Sequence, residues 1–170
     1  MADNSRIYLV GFMGAGKTSV GQELAARLSW TFIDLDADIE RSERVAVREI
    51  FRQSGEPHFR QLEREHLKRL SVLDNVVIAL GGGAYVDPEN RSVVDTTGMS
   101  VWLKVSLANV FTRVTMDGTR PLFAGSGATE RLYAERTPFY TMAQLHVSTD
   151  NRSPREIADE IADQARRNSP

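Results

Sequence analysis

The chain has no cysteine. That absence excludes a disulfide framework and any thiolate metal site, and it suits a reducing cytosol. A dominant charge is lacking too: 21 Lys and Arg face 23 Asp and Glu, for a net charge of −2. Such a balance gives no global field for holding nucleic acid or an anionic membrane. No apolar run approaches the roughly 20 residues that a membrane-spanning helix needs. The opening residues, Met1-Ala-Asp-Asn-Ser-Arg6, lead straight into an apolar run and leave no room for a signal or transit peptide. Histidine is scarce. His58, His66 and His146 lack metal-ligand spacing, and structural or surface roles suit them. What remains is a single domain over residues 1–170, without repeat or linker, expected to be a cytoplasmic monomer. Its 41% hydrophobic and 26% charged content is ordinary for a globular chain with a sizeable core.

Against that plain background, Gly11-Phe-Met-Gly-Ala-Gly-Lys17-Thr18 matches G-x-x-x-x-G-K-[ST] in full. The flanks fit as well. Ile7–Val10 is a short apolar run of the kind that makes a buried strand, and Val20, Leu24 and Leu28 recur at one helix face. A glycine-rich backbone can wrap a polyphosphate closely with its amides turned inward. Gly14, Ala15, Gly16, Lys17, Thr18 and Ser19 are therefore the expected nucleotide-binding residues. The helix N-terminus adds partial positive charge, and Lys17 adds a full one at the reacting phosphates. The Thr18 hydroxyl can bind Mg²⁺.

Strand and helix patterns alternate along the rest of the chain. Trp30–Ile33 reads as a second strand, ending in Asp34-Leu-Asp36. A helical stretch follows, with Phe59, Leu62, His66 and Leu70 on one face. Val76–Leu80 is a continuous apolar run ending in Gly81-Gly82-Gly83, as expected of a strand buried on both sides. Asp87-Pro88 marks an N-cap with Pro at the first helical position. Ser100–Leu103 is a fourth strand, and Leu107, Val110, Phe111 and Val114 fit the helix after it. Leu145–Val147 is a brief fifth. Ser153-Pro-Arg-Glu156 is a capping box, with Ile157 and Ile161 inward. This pattern predicts an α/β fold with a parallel sheet covered by helices, and ligands at the C-terminal edge of its strands. Met116–Ala128 breaks the pattern. It is glycine-rich, aperiodic and carries Arg120, and it reads as a lid over bound nucleotide.

Three classes of phosphate-loop protein compete. A GTP switch needs Asn-Lys-x-Asp, which is missing; Asp95-Thr-Thr-Gly98 precedes a strand and reads as an ordinary turn. A motor ATPase needs a strand ending in acids, whereas the third strand here ends in glycines. Small-molecule kinases remain. Asp34 and Asp36, two apart at a strand end, point the same way. One can sit near Mg²⁺ beside Thr18 while the other faces an acceptor hydroxyl. Alternatively, Asp36 or Asp38 caps the next helix.

The motifs together resemble the shikimate kinase family over nearly the whole chain. They are the loop at 11–18, Asp-Leu-Asp at 34–36, Gly-Glu-x-x-Phe-Arg at 55–60, Gly-Gly-Gly at 81–83, Arg-Pro-Leu at 120–122 and Glu-Arg-x-Pro-x-Tyr at 135–140. The resemblance implies a nucleoside-monophosphate-kinase-like three-layer sandwich with a five-stranded parallel sheet, a lid near 116–128 and an acceptor region near 34–62. It implies transfer of the ATP γ-phosphoryl to the 3-hydroxyl of shikimate, with Mg²⁺. Asp36 would bind the acceptor hydroxyls and take the proton, and Asp34 would organise Mg²⁺. Arg60 and Arg136 would hold the carboxylate near Gly82 and Gly83. Arg120 would reach the transferring phosphate, while Arg113 and the turn containing Arg152 would bind adenine. A lid reading Thr-Arg-Pro-Leu-Phe departs from relatives that carry a second arginine before the proline. A gluconate kinase-like enzyme is the main alternative, but it should lack Phe59-Arg60 and Glu135-Arg136. A catalytically idle relative is the other, and the intact Lys17, Asp36 and Arg136 argue against it.

Overall fold

The computed structural model describes residues 5–117 and 126–167. Its sheet is built from β1 (Arg6–Val10), β2 (Thr31–Asp34), β3 (Val76–Ala79), β4 (Met99–Lys104) and β5 (Leu145–Ser148). All pairings are parallel, in the order β2-β3-β1-β4-β5. Tyr8 lies opposite both Ile78 and Ser100, which fixes the central register. Ile7–Val10 and all of β3 are buried, as their unbroken apolar sequence predicts; the edge strands β2 and β5 are partly exposed.

The helices are α1 (Lys17–Leu28), α2 (Leu35–Glu43), α3 (Val47–Leu70), α4 (Pro88–Thr97), α5 (Leu107–Asp117), α6 (Ser126–Tyr140) and α7 (Pro154–Arg167). α1 pairs with α7, and α3 with α4. Gly21 brings α1 against β2, because a side chain there would overlap the Phe32 ring. The expected caps form. Asp87 accepts from Glu89 N at 2.8 Å ahead of Pro88. Ser153 N donates to Glu156 Oε2 at 2.8 Å, and Glu156 N donates to Ser153 Oγ at 3.2 Å. No helix among the described residues is long and apolar enough to cross a membrane.

Some expectations shift. The helical stretch after β2 is two helices, α2 and α3, and α3 is itself broken at Gly55. Asp95, Thr96 and Thr97 are the last turn of α4 rather than a free turn. Of the expected lid, positions 116–117 close α5 and 126–128 open α6, while 118–125, with Arg120, lie outside the described residues. The face carrying Phe59, Leu62, His66 and Leu70 is buried as expected.

Gly55 sets the direction of the helix half that carries those residues. Its φ of 81° and ψ of 168° belong to a region open essentially to glycine alone. Gly55→Ala is expected to cost about 1–3 kcal/mol. The check is urea unfolding, with a lower midpoint at unchanged slope.

Candidate active site

Because β2, β3 and β1 are neighbours, the loops that follow them meet at one edge of the sheet. The phosphate loop opens α1, with Gly16 as its N-cap in the left-handed region. Lys17 folds back along the loop, its Nζ donating to Gly11 O at 2.6 Å and Phe12 O at 3.1 Å. A cation held beside a helix N-terminus and a ring of amides makes the loop a ready anion site. Arg113 Nη1 reaches in from α5 and donates to Gly14 O at 2.6 Å. Arg152 is engaged elsewhere, with Ser148 O at 3.0 Å and Glu160 Oε2 at 2.6 Å.

The two acids divide differently from the expected strand-end pair. β2 ends at Asp34, which caps α2 by accepting from Ala37 N at 3.1 Å. Its other oxygen, Oδ2, accepts from Thr18 Oγ1 at 3.1 Å. Asp34 thus serves as cap and as neighbour of the phosphate loop. Asp36 sits two residues on, in the first turn of α2, with its Oδ1 buried and without a hydrogen-bond partner among the described residues. Burial pushes its carboxyl above the usual range. The Asp34 charge and, more weakly, Glu40 add to that, against the opposing pull of Lys17 and Arg60. Asp38 caps nothing. It is buried between α2 and α3, where its Oδ2 meets His66 Nδ1 at 2.7 Å and also Arg69.

The three glycines after β3 each face a different charged group. A Cβ on Gly81 would lie 2.8 Å from Asp36 Oδ1, one on Gly82 would lie 2.8 Å from Arg136 Nη1, and one on Gly83 would overlap the Arg60 guanidinium. Tyr140 donates to Gly82 O at 2.5 Å and holds that turn to α6. Arg136 lies over the ring of Phe12, with Cζ 6.0 Å from the ring centre. Phe12 also meets Tyr133 edge-on at 5.3 Å. One acid and two guanidinium groups therefore converge beside the phosphate loop.

A protein-family model described as shikimate kinase matches residues 13–166. The shikimate kinase of Persephonella marina is 39% identical over 156 residues, covering 91% of this chain and 95% of that protein. The chain belongs to the shikimate kinase family. Enzymes of this family transfer the γ-phosphoryl of ATP to the 3-hydroxyl of shikimate in aromatic amino-acid biosynthesis, so the chain is an ATP-dependent kinase of an alcohol acceptor. The solved shikimate kinase of Acinetobacter baumannii, in complex with shikimate, is similar throughout, with 34% identity and a TM-score of 0.91. That match covers 98% of this chain and 95% of the other. A gluconokinase from Sinorhizobium meliloti shares the fold at a TM-score of 0.62 and 17% identity, over 98% of this chain and 94% of that one.

Glu63 was not among the expected site residues, yet it is buried beneath Arg60. Arg60 Nη1 donates to both its oxygens, at 2.9 and 3.1 Å, while Arg60 Nη2 reaches the exposed Glu56 at 3.3 Å. The i, i+3 spacing on α3 was the available signal. Burial pushes the Glu63 carboxyl up to about 7, against the pull of Arg60. A carboxyl whose folded pKa is raised favours folding while protonated. Its contribution is full below pH 4.5 and is lost as pH rises through about 7. The stability advantage of wild type over Glu63→Gln should therefore shrink across that window, by on the order of 2 kcal/mol. Urea titrations at pH 4.5, 6 and 8 measure it; a constant difference would mean that the Glu63 carboxyl titrates alike in the folded and unfolded protein.

Proposed function

We propose that the chain phosphorylates shikimate with Mg-ATP at the glycine-lined edge between Asp36, Arg60, Arg136 and the phosphate loop. The observation that carries this reading is the convergence of those three side chains on Gly81, Gly82 and Gly83. Shikimate is a small acid with three hydroxyls and little apolar surface, so its recognition must rest on charge-assisted bonds. A guanidinium donates two parallel bonds to a carboxylate, which suits Arg60 and Arg136. The buried Asp36 Oδ1, without a hydrogen-bond partner among the described residues, suits an acceptor hydroxyl. In a loose, metaphosphate-like transition state the nucleophile needs little early deprotonation. Asp36 then orients the hydroxyl first and takes its proton late.

Lys17 would exchange its loop carbonyls for the β- and γ-phosphate oxygens and follow the charge as it moves. Thr18 and Asp34 form an all-oxygen pair, fitting the hard cation Mg²⁺, and would hold it directly or through water. When bound, that ion would neutralise charge on the β- and γ-phosphates. Arg113 and Arg152 are assigned to adenine, and Arg120, beyond the described residues, to the transferring phosphate. The proposal includes a cytoplasmic monomer acting on two dissolved small molecules.

An ADP-release assay with shikimate, quinate and gluconate side by side tests the acceptor. Arg136→Ala should lower kcat/KM for shikimate by about 30- to several-thousand-fold, equivalent to about 2–5 kcal/mol. Arg136→Lys should restore only part of it, and ATP affinity without acceptor should barely move. Normal acceptor kinetics in Arg136→Ala would remove the main reason for preferring shikimate over an uncharged polyol. Gly81→Ala, which presses on Asp36, should cost about 10²-fold in turnover while leaving ATP binding intact. Unchanged turnover in that variant would move the hydroxyl-binding role away from Asp36.

A further inference from the structure

Arg113 reaches the phosphate loop from α5, a different layer of the fold, and its anchorage is unusually complete. Its Nη1 donates to Gly14 O at 2.6 Å, and its Nη2 to Thr149 O at 3.4 Å. Thr149 is fully buried, with its N–H and its hydroxyl both donating to Lys104 O, at 2.9 and 3.0 Å. The start of α5 is fixed in turn by Asp150 Oδ1, which accepts from Ser106 N at 3.1 Å and Asn109 Nδ2 at 2.6 Å. Gly14, by contrast, has a φ of 78°, and as a glycine it leaves its peptide plane free to turn. The peptide to Ala15 is trans, so its carbonyl and amide point opposite ways. With the carbonyl held outward, the Ala15 amide faces the loop interior, where it donates to Phe12 O at 3.1 Å. That same carbonyl accepts from Lys17.

We propose that Arg113 is a positioning residue for the phosphate loop, locking the Gly14–Ala15 peptide so that the loop keeps its anion-binding form whether or not a base is present. The role is separate from any contact with adenine. It rests on the reading of residues 11–18 as the ATP site. A full positive charge behind this peptide also strengthens the inward amide as a donor, because low dielectric makes neighbouring dipoles polarise one another.

Inorganic tripolyphosphate carries phosphates without a base and separates the two roles. In Arg113→Met, the KM for ATP and the inhibition constant of tripolyphosphate against ATP should both rise, by about tenfold or more. Turnover at saturating ATP should fall much less. Amide exchange at Ala15 in the ligand-free enzyme should quicken by about tenfold. Arg113→Lys should recover most of each effect, since an ammonium can still donate to Gly14 O. An unchanged tripolyphosphate constant or an unchanged Ala15 exchange rate overturns the proposal, and the first with weakened ATP binding marks a base contact alone. Wild-type enzyme that bound neither ATP nor tripolyphosphate would instead overturn the nucleotide site, while Ala15 exchange in the ligand-free variant would still decide the role of Arg113.

Discussion

Three missing Cβ atoms at the end of β3 decide what can gather at the active edge. Asp36, Arg136 and Arg60 come from three different helices, and each fills the space that a side chain on Gly81, Gly82 or Gly83 would take. Steric room rather than backbone flexibility is what these glycines supply. Without it, the acid would be pushed away from the loop and the guanidinium groups away from each other. The rest of the fold brings these groups to one place: a parallel sheet puts the ends of β1, β2 and β3 side by side, and α2 follows β2 directly.

Electrostatics at this edge work by opposition. Lys17, Arg60 and Arg136 face Asp34, Asp36 and Glu63 within one cluster. Burial is expensive for every charge in it. Two of the acids respond by holding their protons more tightly than usual. Arg60 is gripped by the buried Glu63 on one side and Glu56 on the other, so its guanidinium is already oriented in the free protein. Such preorganisation is the main way in which a phosphoryl-transfer site lowers its barrier, since the chemistry asks for little covalent participation by the protein.

Much of this was legible in the sequence where one signal dominated. The continuous apolar runs gave β1 and β3, the Ser153–Glu156 box gave the start of α7, and the phosphate-loop motif gave the start of α1. α2 was harder to see because its buried face consists of Leu35, Asp38 and Ile39, so an acid occupies an inward position. Only its partners, His66 and Arg69 on α3, make that acceptable, and they lie 28 and 31 residues away. α6 has no apolar stripe: Thr129 and Tyr140 are its buried side chains among those described, and Pro138 interrupts its hydrogen bonding. The Asp34 cap was misread for a related reason. A carboxylate with two oxygens can serve a helix and a neighbouring loop at once, and spacing along the chain does not distinguish the two uses.

Phe12 has a consequence of a thermodynamic kind. Its backbone carbonyl belongs to the phosphate loop and accepts from Lys17, while its buried ring lies under Arg136. One residue is therefore a shared wall between two compartments. Lys17 rests on its carbonyl and Arg136 on its ring, so a displacement of Phe12 would reach both. Linkage makes any such influence reciprocal: whatever factor nucleotide exerts on acceptor affinity, acceptor must exert on nucleotide affinity. A buried aromatic residue at the second position of the loop thus gives Lys17 and Arg136 one shared wall, through which any coupling between their ligands would have to be mutual.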